Sequence, residues 1–222
     1  MPQGFIIGLS GSSLIFFILF LFFSIFNYKK RFAMNYDIRN HFPYELNYKS
    51  SFKENLIGNL CLIMSMVLSI SAFACSSSYF NKASIILIPV IAGALYSLLI
   101  IFIPFSDIKY IRFHVLLAVL LAGLSFLTPS SIGLVSLFIY QQTENVLGIV
   151  YLIIGLVIGL FSFALIMNPK FSFDIKMKVV KLENGQEETK RPTIIVIAFS
   201  EWLLMFSLFL SHILLILLLF II

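Results

Sequence analysis

Few residues in this chain could do chemistry, and they sit among apolar neighbours. Glu201 is the one acid inside a long apolar run, and His212 follows eleven residues later. On a helix that spacing is nearly three turns, so both side chains project from one side. Ser200, Ser207 and Ser211 occupy the adjacent sector. An ionisable residue at membrane depth is a functional candidate by default, and an acid with an imidazole could relay protons.

Depth separates the two. At about 1.5 Å per residue, Glu201 lies ~31 Å back from Ile222 and His212 ~15 Å. Glu201 is then expected at the cytoplasmic boundary of the bilayer, paired with a Lys or Arg from a loop, with Trp202 in an interfacial aromatic belt. His212 is expected near mid-bilayer as a neutral imidazole bonded to a helix neighbour, the alternative being a proton relay. His41, Asp107 and His114 read as solvated or interfacial residues at the loops.

No catalytic, metal or cofactor set is expected. Cys61 and Cys75 fall on one span about 21 Å apart, too far for a disulfide or a shared metal. Gly8-Leu9-Ser10-Gly11 resembles the GxSG nucleophile turn of rhomboid proteases, which also carry a His on the sixth helix of their core. That resemblance covers four residues and assigns no family; rhomboids carry the motif on the fourth span, whereas here it lies on the first.

The elements that position these residues are membrane spans. Of 222 residues, 60% are hydrophobic and 11% charged. No single water-soluble core of this size hides so much apolar surface, whereas runs of about 20 apolar residues match the bilayer interior. Six spans are expected: 5–26, 56–75, 83–105, 113–140 interrupted at Pro129, 146–167 and 193–222. The first reads as an anchor rather than a cleaved signal, because Lys29-Lys30-Arg31 follow it and no positive side chain precedes it.

Orientation follows from the basic residues. All of the 15 Lys and Arg except Lys82 fall in the loops 27–55, 106–112 and 168–192 or at their edges. The positive-inside rule makes those loops cytoplasmic and puts both termini outside a cell membrane. The net charge of +5 is thus explained without nucleic acid.

Helices in lipid meet at small residues. Such seams run along the second span at Gly58, Cys61, Ser65, Ser69, Ala72 and Ser76, and along the fifth at Gly155 and Gly159, a GxxxG motif extended by Gly148 and Ser162. A seam does not say whether its partner is this chain or a second copy. On the fourth span, Thr128-Pro129-Ser130-Ser131 is expected to end or break the helix.

Two loops carry further patterns. In the first, Tyr28, Phe32, Tyr36, Tyr44, Tyr48 and Phe52 alternate with basic residues, as in segments lying at the headgroup level. In the fifth, apolar residues alternate from Phe171 to Val179, and Asn184-Gly185 suits a tight turn. A small cytoplasmic β-hairpin from about Phe173 to Arg191 is expected.

The chain therefore reads as an all-α polytopic membrane protein, one integral domain of about six transmembrane helices. Its expected partner is the lipid bilayer, with the seams available to a protein partner or a homo-oligomer. The expected function is that of a small permease or membrane subunit of a transport system. The alternative is a non-catalytic scaffold that docks a partner through loops 27–55 and 168–192.

Overall fold

The computed structural model describes residues 3–47, 52–79, 84–106, 111–168, 178–181 and 187–220. It is an all-α bundle. The helices are α1 (Gln3–Phe32), α2 (Leu56–Tyr79), α3 (Leu87–Phe102), α4 (Ile111–Thr143), α5 (Leu147–Ile166) and α6 (Val196–Leu218). Each, with α3 continued by the short turn Ile103–Phe105, is long and apolar enough to cross a membrane. This makes the chain a multi-pass membrane protein whose outer surface meets lipid. Phe22, Ile15, Val119 and Val157 are among the large apolar side chains that the bundle leaves exposed.

Consecutive helices pack as neighbours from α1 to α5, and α6 returns to touch α1, α3, α4 and α5. The sequence explains why α6 is central. Its serines and histidine need polar partners that lipid cannot supply, so that side turns inward. Ser200, Glu201, Trp202, Ser207, Ser211 and His212 are all buried. Tyr96 of α3 donates to the Leu204 carbonyl oxygen and lies 2.6 Å from Ser207 Oγ.

Pro129 does not interrupt α4. The helix runs through it. Proline removes one backbone bond, whereas ending a helix within the bilayer would strand several groups, so continuation is the cheaper outcome there. The GxxxG face of α5 seats on this stretch: a Cβ placed on Gly155 would lie 2.5 Å from the Pro129 carbonyl oxygen and 3.0 Å from Gly133 Cα. Ser136 Oγ also lies 2.8 Å from the Gly148 carbonyl oxygen, its proton shared with the Gly133 carbonyl oxygen at 2.6 Å. This seam is therefore satisfied within the chain. The α2 seam likewise faces α1, where Ser65 Oγ donates to the Ser13 carbonyl oxygen at 2.6 Å and Gly58 meets Ser24 and Asn55.

The expected hairpin is not supported as an element of the fold. Lys178–Lys181 and Glu187–Lys190 run antiparallel over four residues each. Phe173 and the Asn184-Gly185 turn lie outside the described residues, and Arg191 leaves the ladder to bind Glu45. Asp107 and Tyr48 also lie outside the described residues.

The first loop packs on the bundle, and of the aromatics expected at the headgroup level Tyr28 and Tyr44 are buried whereas Phe52 is exposed. Residues 33–47 fold back over one end of the bundle and bury Phe42, Pro43, Tyr44, Glu45 and Leu46. We call this segment the cap. It begins where α1 stops at Ala33, whose φ of 53° turns the chain while its N–H still bonds the Lys29 carbonyl oxygen at 3.0 Å. The first, third and fifth loops meet at this end: Phe52 stacks on Phe105 at 6.0 Å, and Arg191 reaches Glu45.

Candidate functional site

Two polar clusters lie inside the bundle, and Glu201 and His212 belong to different ones. Each residue has its own partners at its own depth.

The deeper cluster centres on His212. Its Nδ1 lies 3.1 Å from Ser10 Oγ on α1, and its Nε2 lies 2.6 Å from Ser69 Oγ on α2. Ser69 Oγ is 2.7 Å from Ser97 Oγ on α3, and Ser97 donates to the Gly93 carbonyl oxygen at 2.8 Å. The directions follow from that carbonyl, which can only accept. Ser97 spends its proton on Gly93, so Ser69 donates to Ser97. His212 Nε2–H then donates to Ser69, and Ser10 O–H donates to His212 Nδ1. Both ring nitrogens are thus hydrogen-bonded, and one side chain joins α6 to α1 and α2. Phe73 packs on its ring at 4.7 Å.

The Ser10–His212 contact has the composition of a nucleophile and its base. Acyl transfer also needs free donors for an oxyanion. The amides around Ser10 lie well inside α1, where they are used along the helix, and Ser10 is itself buried. The contact joins α1 to α6, and the amides beside Ser10 are not free to hold an oxyanion.

The second cluster lies beneath the cap. Glu201 Oε1 is 2.9 Å from His114 Nε2, and the two side chains are 1% and 4% exposed. His114 Nδ1 is 2.8 Å from Ser106 Oγ, and Ser106 donates to the Ile103 carbonyl oxygen at 2.7 Å. Glu201 Oε2 is buried and has no hydrogen-bond partner among the described residues. The expected partner of Glu201, a loop Lys or Arg, is replaced by a histidine from α4. His114 itself is not solvated but buried. Its signal in the sequence is its position, one residue inside the apolar run that starts at Phe113.

The cap closes this cluster from the loop side. The rings of Tyr44 and Phe42 stand edge-on to His114 at 5.3 and 6.2 Å. Trp202 Nε1 donates to the His41 carbonyl oxygen, so both residues are buried rather than interfacial. Glu45 accepts from Arg191 Nη1 at both oxygens, 3.0 and 2.9 Å, and from the Phe42 N–H at 3.2 Å. Tyr36 donates to the Phe42 carbonyl oxygen at 2.7 Å. Burial, and then the nearby Glu45 carboxylate, push the Tyr36 phenol well above its ordinary range. On the outer edge of the cap, hydrogen bonds from Arg39 hold the Asp37 carboxyl down at about 2.

A third polar group surrounds the start of α2. Asn55 Nδ2 donates to Ser24 Oγ and to Asn47 Oδ1, both at 2.9 Å, and Asn47 Nδ2 donates to Asn59 Oδ1 at 3.0 Å. These amides tie the end of the cap to α1 and α2. Among the described residues no group of His, Cys, Asp and Glu has the arrangement of a metal site. Cys61 and Cys75 are both free. No known protein family, curated protein or solved structure matches this chain.

Proposed function

We propose that this chain is a small permease or the membrane subunit of a transport system. One observation carries the reading: Glu201 is held inside the bundle against His114, with Oε2 left without a partner among the described residues. Burying a carboxylate costs several kcal/mol or more unless it is fully paired. A half-satisfied acid in a membrane interior is a poor device for stability and a good one for binding. In this reading the protein sits in the cell membrane with both termini outside, and the cap covers the cytoplasmic end of the path. Thermal unfolding in mild detergent tests it. One small solute is expected to raise the melting temperature of the wild type, and Glu201→Gln is expected to abolish that rise. A solute that stabilises both equally would remove Glu201 from the site.

A specific observation also favours a second reading, a non-catalytic scaffold. The cap is folded and faces the same end as the basic loops, a shape that could dock a partner. A partner chain that co-purifies with the wild type and is lost on replacing exposed cap residues such as Arg39 would favour it.

A further inference from the structure

The protons around His114 can be assigned one at a time. Ser106 has a single hydroxyl proton, and its oxygen lies between the Ile103 carbonyl oxygen and His114 Nδ1. The carbonyl has no proton to give, so Ser106 donates to Ile103 and accepts from His114. His114 Nδ1 therefore carries a proton. The opposite nitrogen, Nε2, faces Glu201 Oε1 at 2.9 Å, a distance that requires one proton between them.

That proton can sit on either atom. On nitrogen the pair is imidazolium and carboxylate; on oxygen it is imidazole and carboxylic acid. Both forms contain the same atoms and are neutral overall. Removing the proton sets two lone pairs against each other and leaves one negative charge among apolar side chains. Adding another at Glu201 Oε2 leaves one positive charge. Oε2 is thus the open end of a unit that can take up or release a proton, whereas the His212 cluster has no open end.

We propose that His114 and Glu201 form a proton-binding site whose exchangeable proton lies between Nε2 and Oε1, with Glu201 Oε2 as the atom open to exchange. The use of such a site rests on the transport reading, but its detection does not. Among the described residues, the first loop sets Tyr44 against His114 and brings Tyr36 and Glu45 near Glu201, with Glu45 paired to Arg191 at 2.9 Å. The end of α3 contributes Ser106, and Arg112 on α4 is exposed. None of these bonds Glu201 Oε2.

The test is infrared spectroscopy of the full-length protein in lipid, titrated between about pH 5 and pH 9, where ordinary carboxylates stay ionised. The expected result is one protonated-carboxyl C=O band whose intensity changes with pH. The band is lost entirely in Glu201→Gln, and its midpoint moves by about one pH unit or more in His114→Gln. The wild-type titration stands by itself if either variant fails to fold. A wild-type spectrum that does not change with pH, with or without the band, overturns the proposal, as does a titrating band that survives in Glu201→Gln. Failure of every solute to stabilise the protein would weaken the transport reading and leave this spectrum unaffected.

Discussion

The indole N–H of Trp202 donates to the carbonyl oxygen of His41 at 3.0 Å, fastening the cap to α6 one residue beyond Glu201. Trp202 is the only tryptophan in the chain, so its fluorescence reports this junction alone.

Arg191→Gln is expected to loosen the cap. Glu45 is buried and takes both of its side-chain ion-pair contacts from Arg191. Removing the guanidinium leaves a carboxylate without its charge partner, a change that costs about 1–3 kcal/mol where the partner is partly exposed. Trp202 emission should move to the red, and trypsin should cut at Arg39 faster. An unchanged emission maximum would show that Arg191 does not hold the cap closed.

Alkaline pH should open the cap through Tyr36. A phenol held neutral by burial contributes stability that is fully present below the unfolded value of about 10. It is lost as pH rises through the higher folded value. Trp202 emission should therefore stay constant through neutral pH and shift only above about pH 10. In Tyr36→Phe this alkaline step should be missing, at the cost of the hydrogen bond to Phe42. Asp37 works in the opposite sense. Its lowered carboxyl supports the outer turn above about pH 4, and that support is lost as pH falls toward about 2.

His212→Leu should destabilise the bundle. Leucine fills much of the volume but leaves Ser10 and Ser69 without their shared partner. Interhelical hydrogen bonds in membranes average roughly 0.6 kcal/mol each, so about 1–2 kcal/mol is expected for the pair. His212→Gln should lose less, because an amide can still donate and accept. Nitrogen NMR of the wild-type ring should find the proton on Nε2 at all pH values that leave the protein folded. A ring whose proton sits on Nδ1 alone would contradict the donor order derived from Ser97 and Gly93.

The helices were legible because their signal is local. Apolar runs of membrane length need no knowledge of what they touch, and the basic loops that gather at one end alternate with them along the chain. Glu201 and His212 were visible as polar residues on the inner side of α6. Their partners were not, since His114 is 87 residues from Glu201 and Ser10 is 202 from His212. Such pairs exist only once α6 has returned between the earlier helices, and no spacing rule encodes that return. The contacts of the cap were hidden for a related reason. Its aromatic and basic residues suit a lipid interface, and residues far along the chain, His114, Arg191 and Trp202 among them, give them a protein surface instead.

The α5 seam gives the sharpest test of packing. The backbone of Gly155 lies so close to Pro129 that a Cβ would sit 2.5 Å from its carbonyl oxygen. A Cβ on Gly123, by contrast, would meet nothing within 4 Å. Gly155→Leu should therefore push α5 off α4 and cost about 1–3 kcal/mol or more, while Gly123→Ala on α4 should be neutral or slightly stabilising. Gly159→Leu should behave like Gly155→Leu, since its contacts are Ser130 and Phe126 on the same helix. Because these contacts lie within one chain, the loss should appear as a lower melting temperature at every protein concentration in detergent. A loss that depends on concentration would instead place the GxxxG face between two copies, and α5 would then have to leave the Pro129 stretch of its own α4.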